Sequence, residues 1–404
     1  MERLISFVGL MLMVFIAYLL STSKKDINWR TVISGIIIQL IFGLLILKTS
    51  GGQAVFEMAR SFFAGVLNFT HQGTNFVFGS LNNYSKVGFV FAIMVLPTIL
   101  FMSSLMSVLY HLGIMQVIIK FFAKIMVKVM GTSGAESLAA AANVFAGQTE
   151  APLVVRPFLS KMTNSELMAL MTGGMATVAG GVLASYVGLG IDAGHLLAAS
   201  VMSAPAALVC AKLMVPETEK SVTIGDVEMS FEKRTTNIID AAAHGASEGL
   251  QLALNVGAML LVFIALIAMV NGILGQVGSW INYPALSLEL ISGYLFAPVA
   301  FILGVPWAEC MEVGSLLGKK LIINEFVAYL DLKSQLTTLS PRSATIATYA
   351  LCGFANFSSI AIQLGGIGTL VPERREDLAK LGIKCLIGGT LACLMTAAIA
   401  GILL

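Results

Sequence analysis

Long apolar runs alternate along the chain with short polar interruptions, and their spacing predicts a set of membrane-crossing helices. Runs at about 4–22, 31–48, 87–110, 164–190, 194–214, 250–274, 342–367 and 381–403 approach or exceed the roughly 20 residues a helix needs to cross the hydrocarbon core. The alternating strands of an outer-membrane barrel are absent from the pattern, so the expectation is an all-α polytopic membrane protein with eight transmembrane helices. Two stretches suit helices lying at the membrane interface. One is 53–69, with Glu57 and Arg60 among Phe56, Met58, Phe62 and Phe63. The other is Gln116 to Met130, where Lys120, Lys124 and Lys128 recur on one helical face. Residues 285–303 are apolar, but Glu289 points to a buried or peripheral helix.

The interruptions carry as much information as the runs. Residues 133–160 cannot form one ordinary span, because Asn143-Val144-Phe145-Ala146-Gly147-Gln148-Thr149-Glu150-Ala151-Pro152 divides them and Pro157 follows. Two half-helices meeting at a tip are expected there. A second interrupted pair runs from Pro306 to Leu336 with Asn324-Glu325 at its break, and the run at 342–367 is broken by Phe354-Ala355-Asn356-Phe357-Ser358-Ser359. Each half of the chain therefore has a broken hairpin, a span rich in glycine and polar residues, and a plain span. With one span and the second hairpin between them, the halves are expected to insert with opposite orientation. Opposed re-entrant hairpins in inverted repeats point to a secondary transporter with its site near the midplane.

Composition sharpens this reading. Hydrophobic residues make up 57% of the 404 and charged residues 11%, far below the roughly 25% charge of soluble domains. The net charge of +2 predicts no nucleic-acid partner. Cys210, Cys310, Cys352, Cys385 and Cys393 stand singly in apolar segments, as small core residues rather than a metal or disulfide framework. The first run lacks a basic leader and a small-residue cleavage site, so it is expected to be retained as a span. The stretch from Pro216 to Arg234 is expected to be a loop rather than a domain boundary. Placing both termini outside puts two-thirds of the lysines and arginines inside, which agrees with the positive-inside rule.

A carboxylate at membrane depth costs several kcal/mol unless it is paired or faces a wet cavity. Glu150 and Glu325 have two readings. They could be structural, capping half-helices or pairing with Lys319, Lys320 or Arg156. They could instead accept hydrogen bonds from a hydroxyl- or amine-bearing substrate, with Gln148, Thr149, Asn356 and Ser359 as further partners. No inward cluster of cations exists to bind an anion, so the set suits a neutral polar metabolite. Asn143 and Thr177, with carbonyls freed where helices break, are hard oxygen donors of the kind sodium takes. For Thr177 alone, a bond back to its own helix is the simpler reading. Enzyme signatures are incomplete. Gly314-Ser315-Leu316-Leu317-Gly318-Lys319-Lys320 is one residue short of a phosphate loop, Gly188-Leu189-Gly190-Ile191-Asp192 misses an intramembrane aspartyl-protease motif, and the four histidines are scattered.

In order and spacing, Gly147-Gln148-Thr149-Glu150-Ala151-Pro152, Asn324-Glu325-Phe326-Val327-Ala328-Tyr329 and Gly353-Phe354-Ala355-Asn356-Phe357-Ser358-Ser359-Ile360 resemble the concentrative nucleoside transporters, as does Gly73-Thr74-Asn75-Phe76-Val77-Phe78-Gly79. The resemblance extends over nearly the whole chain and is to the short bacterial form. It implies a homotrimer in the lipid of the bacterial inner membrane, each protomer moving a nucleoside by an elevator-like motion. Residues 1–130 would be mainly scaffold, and 131–190, with the first hairpin and the broken fourth span, transport domain. In 191–303 the fifth span would belong to the transport domain and the sixth mainly to the scaffold. Residues 304–404, with the second hairpin, the broken seventh span and the eighth, would be transport domain. Gln148, Thr149, Glu150 and Val182 would face the nucleobase, and Glu325, Asn356 and Ser359 the ribose, with Phe354 lining the pocket. The Asn143 and Thr177 side chains and the Ala146 and Val178 carbonyls would ligate sodium. Thr149-Glu150-Ala151-Pro152 resembles the sodium-coupled rather than the proton-coupled members. The function implied is sodium-coupled import of uridine and related nucleosides with no enzymatic cofactor. Proton coupling, or a nucleoside-binding membrane protein that does not transport, are the alternatives.

Overall fold

The computed structural model describes residues 1–223 and 235–404, and among them all regular structure is helical. Asp226, Glu228, Glu232, Lys233 and Arg234, in the part of the polar stretch beyond Thr223, lie outside the described residues. The first two runs are α1 (Glu2–Leu19) and α2 (Trp29–Lys48). Helix α3 (Ser50–Phe78) is longer than the interfacial stretch the pattern suggested. The Thr49 side chain caps its start by accepting from Gly52 N, and no proline interrupts it before Gly79, whose φ of +54° ends it. The run at 87–110 is divided into α4 (Tyr84–Val87), α5 (Phe91–Met94) and α6 (Leu96–His111). Pro97, with no N–H to donate, is the second residue of α6, just past the break at Val95. Helix α7 (Ile114–Met130) buries Met115, Ile119, Ala123, Met126 and Met130, and leaves Lys124 and Lys128 exposed.

The first hairpin pairs α8 (Gly134–Asn143) with α9 (Ala151–Val154). Its second limb is not one half-helix. Pro152 and Pro157 remove donors from consecutive turns, so the chain runs from four α-helical residues into a 3₁₀ stretch, Arg156–Lys161. The fourth run is broken into α10 (Asn164–Ala176) and α11 (Gly180–Gly188), and α12 (Ala193–Met214) follows. Capping boxes fix the starts of α8, with Ser133 and Glu136, and α10, with Thr163 and Glu166. The sixth span and its amphipathic approach are one helix, α13 (Ile238–Trp280), because no breaker lies between them. Gly245 and Gly249 place α13 against α6, where a Cβ would meet Ser103 and Ser107 or Ser103 and Leu100 at under 3 Å.

Helix α14 (Leu288–Ile302) packs on α15 (Cys310–Ile322), which turns into α16 (Glu325–Gln335) as the second hairpin. A broken pair, α17 (Pro341–Leu351) and α18 (Phe357–Leu370), and the long α19 (Arg375–Leu403) complete the chain. The element order α8 to α12 thus recurs as α15 to α19. Among the described residues, seven stretches are long and apolar enough to cross a membrane; the eighth expected span is α17 with α18, whose break leaves each piece too short alone. The phosphate-loop-like glycines lie inside α15 and serve packing: a Cβ on Gly314 would meet the backbone of Gly293, Phe296 and Ala297, and one on Gly318 the side chain of Ser292.

Burial separates inner from outer helices. The most apolar window of the α10–α11 pair is 100% buried and that of α13 only 11%. The centre is therefore built from α10–α11, α12 and α19, while α13 shows its apolar face outward. At that centre the two broken spans cross at their breaks. Phe354 N donates to Thr177 O at 3.2 Å. Gly353 permits the approach, because a Cβ there would lie 2.5 Å from Cys393 Sγ and 2.9 Å from the Ala176 carbonyl. The first hairpin tip joins them, since Phe145 O accepts from Gly180 N at 2.9 Å. Backbone polar groups at membrane depth are thus satisfied by one another across three breaks.

Candidate functional site

The crossing of the breaks gathers polar side chains from elements far apart in sequence. Asn356 caps α18: its Oδ1 accepts from Ser359 N at 3.0 Å and from Ser358 Oγ at 2.6 Å. That use of the oxygen turns its Nδ2 toward Glu325, where it donates to Oε2 at 3.0 Å. Tyr186 on α11 donates to Glu325 Oε1 at 3.0 Å. Glu325 lies in the first turn of α16, where the helix dipole favours a carboxylate, but the capping bond there is made by Asn324, which accepts from Val327 N. Two of its expected cationic partners are engaged elsewhere. Lys319 pairs with Asp331 and Glu289, and Lys320 donates to Ala350 O at 2.7 Å. Among the described residues Glu325, 5% exposed, makes no ion pair and is held by neutral donors.

Ser359 extends the line to the first hairpin. Its Oγ accepts from Gln148 Nε2 at 3.2 Å, and Gln148 Oε1 accepts from Gln363 Nε2 at 3.2 Å. A continuous hydrogen-bonded series therefore runs from Gln148 through Ser359, Asn356 and Glu325 to Tyr186, spanning both hairpins and both broken spans. Thr149 and Glu150 lie exposed at the tip beside it. The Thr149 methyl lies where a Cβ on Gly366 would come within 2.9 Å, and Glu150 Oε2 accepts from Gly147 N at 3.0 Å. Val182 is one turn before Tyr186 on the same helix face, and Phe354 is half-buried at the break. An aromatic wall of Tyr186, Phe326 and Phe91, with successive ring centroids 5.2 and 5.4 Å apart, adjoins the carboxylate.

The ion-binding candidates cluster one step away. Asn143 ends α8 fully buried, and neither its Oδ1 nor its Nδ2 has a hydrogen-bond partner among the described residues. Leaving a buried amide unpaired costs about 1–3 kcal/mol, so the group is suited to something that completes it. Gly173 makes room, for a Cβ there would lie 2.9 Å from Asn143 Nδ2. The Thr177 hydroxyl donates to Gly173 O at 2.9 Å, which is the helix back-bond expected of it, and its lone pairs remain able to accept a cation. In the same two breaks the carbonyls of Val144, Phe145, Gly147 and Thr177 accept hydrogen bonds from Ser200 Oγ, Gly180 N, Glu150 N and Phe354 N. Ala146 and Val178 supply the intervening carbonyls not engaged by these bonds. The donor set is amide, hydroxyl and carbonyl oxygen, the hard ligands that alkali and alkaline-earth cations take.

Comparison with known proteins decides the family. The description "Na+ dependent nucleoside transporter" matches in two parts, its N-terminus over residues 8–81 and its C-terminus over 195–401, and "Nucleoside recognition" matches 92–192. The nucleoside permease NupC of Helicobacter pylori is 44% identical over 411 residues, covering 99% of this chain and 98% of the permease. The chain belongs to the concentrative nucleoside transporter family. An uncharacterized transporter of Bacillus subtilis, YutK, is 50% identical over 404 residues, covering 99% of both chains. A solved structure of CNTnw in an inward-facing substrate-bound state superposes with a TM-score of 0.95 at 48% identity, covering 100% of this chain and 98% of that one. Concentrative nucleoside transporters are membrane transporters, not enzymes, which accords with the incomplete catalytic motifs.

Within this family member, the structure brings Gln148, Glu325, Asn356 and Ser359 into one network, sets Thr149 and Glu150 beside it, and places Asn143 and Thr177 together across Gly173. Two participants escaped the sequence reading. Tyr186 and Gln363 are single polar groups inside apolar helical runs, where a tyrosine or glutamine is ordinarily a packing residue. The available signal is spacing: Tyr186 is four residues after Val182, and Gln363 four after Ser359, so each shares a face with an anticipated site residue.

Proposed function

We propose that this chain imports nucleosides, uridine among them, across the bacterial inner membrane in symport with sodium. The observation that carries the reading is the adjacency of two unlike sites at one broken hairpin. The orphaned Asn143 amide lies at one end of the break, and Gln148, bonded into the Glu325 series, at the other. A carboxylate held by neutral donors can accept from both vicinal hydroxyls of a ribose, and such a site rejects analogues lacking them. Gln148, Thr149, Glu150 and Val182 take the nucleobase; Glu325, Asn356 and Ser359 take the ribose beside Phe354. Asn143, Thr177 and the Ala146 and Val178 carbonyls take sodium, which travels as co-substrate. Ordering Asn143 around the ion orders the tip that carries Gln148, which is how ion and nucleoside binding favour each other.

The inner core of α8–α12 and α15–α19 is the unit that moves, carrying both hairpins against a scaffold that includes α6 and α13. The outward apolar face of α13 suits lipid and the contacts of a homotrimer. Both termini lie on the outer side, by the distribution of lysine and arginine. The test is uptake of labelled uridine into proteoliposomes under an inward sodium gradient at clamped pH, and then under a proton gradient with choline replacing sodium. Accumulation in the first and none in the second is expected; the reverse establishes proton coupling, and no accumulation in either refutes transport.

A further inference from the structure

Gln363 is buried in α18, 1% exposed, and among the described residues its side chain makes its hydrogen bonds to Met171 and Gln148 rather than to Glu325, Asn356 or Asn143. Its Nε2 donates twice, to Met171 O at 3.0 Å and to Gln148 Oε1 at 3.2 Å, while its own Oε1 is buried without a partner. The direction of each amide follows from chemistry. Met171 offers a carbonyl, which can only accept, so the Gln363 nitrogen must face it. The second hydrogen of that nitrogen then reaches Gln148, which must present its oxygen. The Gln148 nitrogen is thereby turned away, with one hydrogen toward Ser359 Oγ and the other unpaired among the described residues. Gly174 gives the pair its space, because a Cβ there would lie 2.9 Å from both Gln148 Cβ and Gln363 Nε2.

A packing residue does not need this amide. Leucine or methionine fills a similar volume without burying an unpaired oxygen, whose cost is about 1–3 kcal/mol. The donor accounts for its presence. We infer that Gln363 is a positioning residue that locks the polarity of Gln148, so that the base site presents an N–H donor and favours bases with a carbonyl over bases with an amine at that edge. The inference rests on the nucleoside-binding reading of Gln148. Without Gln363, Gln148 can turn over and serve either kind of base, so discrimination falls while transport continues.

Uridine and cytidine differ in this way, by a carbonyl against an amine at the same ring position. The experiment measures KM and maximal rate for each in proteoliposomes bearing wild type, Gln363→Met or Gln363→Leu, with melting temperature and sodium dependence as controls. In wild type the KM for cytidine is expected to exceed that for uridine by about tenfold, the effect of about one buried hydrogen bond. In either variant the ratio is expected to fall to within about twofold of one, with maximal rate and sodium dependence retained, a selectivity change that a packing defect would not produce. A ratio unchanged from wild type overturns the inference, as does a wild-type ratio near one. If neither variant folds, wild type alone decides: preference for cytidine contradicts a donor-presenting Gln148. Uptake of neither nucleoside by wild type would instead refute the transport reading, and the inference with it.

Discussion

Replacing Glu325 with glutamine retains its volume and its place in the first turn of α16, but changes what the group can accept. The carboxylate takes one bond on each oxygen, from Tyr186 and from Asn356, both at 3.0 Å. An amide has a single oxygen. Turned toward Asn356, it sets its NH₂ against the Tyr186 hydroxyl, which must rotate to accept; turned the other way, it opposes the Asn356 N–H groups donor to donor. One neutral arrangement survives. Hydrogen bonds to a charged group contribute about 1.5–3 kcal/mol and those to a neutral one about 0.5–1.5. Losing the charge beneath two ribose hydroxyls should therefore cost about 1–3 kcal/mol of substrate binding, a rise in uridine KM of about 5- to 150-fold. Folding is expected to survive, because neutralising a buried carboxylate removes a desolvation cost while leaving its neighbours bonded. The assay is initial-rate uridine uptake in proteoliposomes at fixed sodium gradient, beside the melting temperature and chromatographic profile of the purified variant. Wild-type KM in a folded Glu325→Gln protein would remove Glu325 from the site, and a loss of uptake that merely tracks loss of folded protein would make its role structural.

Tyr186→Phe removes one donor from Glu325 without altering packing, so uridine KM should rise by about tenfold with little change in melting temperature; unchanged KM would show that the hydroxyl does not support the carboxylate. Gly353→Ala places a methyl group against Cys393 Sγ and the Ala176 carbonyl where the broken spans cross, and should destabilise the protein by about 1–3 kcal/mol, read as a lowered melting temperature; an unshifted melt would mean that the crossing can open freely.

The breaks were the most legible part of this protein. Pro152 and Pro157, and the asparagines that start α16 and α18, are local signals, and local signals can be read from one sequence. Membrane depth makes the polar residues at those breaks stand out, which is why Gln148, Glu325, Asn356 and Ser359 are conspicuous in the sequence itself. Less was legible where an effect depends on contacts between distant segments. The crossing at Gly353 and Ala176, with Cys393 packed against both, joins three segments and has no local signature. Tyr186 and Gln363 resemble ordinary interior residues until their partners are placed. Helix lengths were less legible from hydropathy, since α3 and α13 run through positions where hydropathy changes but no residue ends a helix. For the proposed ion site, the residues alone point to Asn143 and Thr177 as oxygen donors, and only the resemblance to a known family singles out the Ala146 and Val178 carbonyls.

The central claim is that one broken hairpin links ion binding to nucleoside binding, and equilibrium linkage tests it most directly. The affinity of the purified protein for uridine is measured by titration calorimetry in choline and in saturating sodium, for wild type and for Asn143→Ala. In wild type sodium should tighten uridine binding by at least about fivefold, within the range usual for coupled sites, and uridine should tighten sodium binding by the same factor. In Asn143→Ala, where the unpaired amide is gone, uridine should still bind with the factor reduced to about one. Uridine affinity indifferent to sodium in wild type, or coupling retained in Asn143→Ala, would contradict the account.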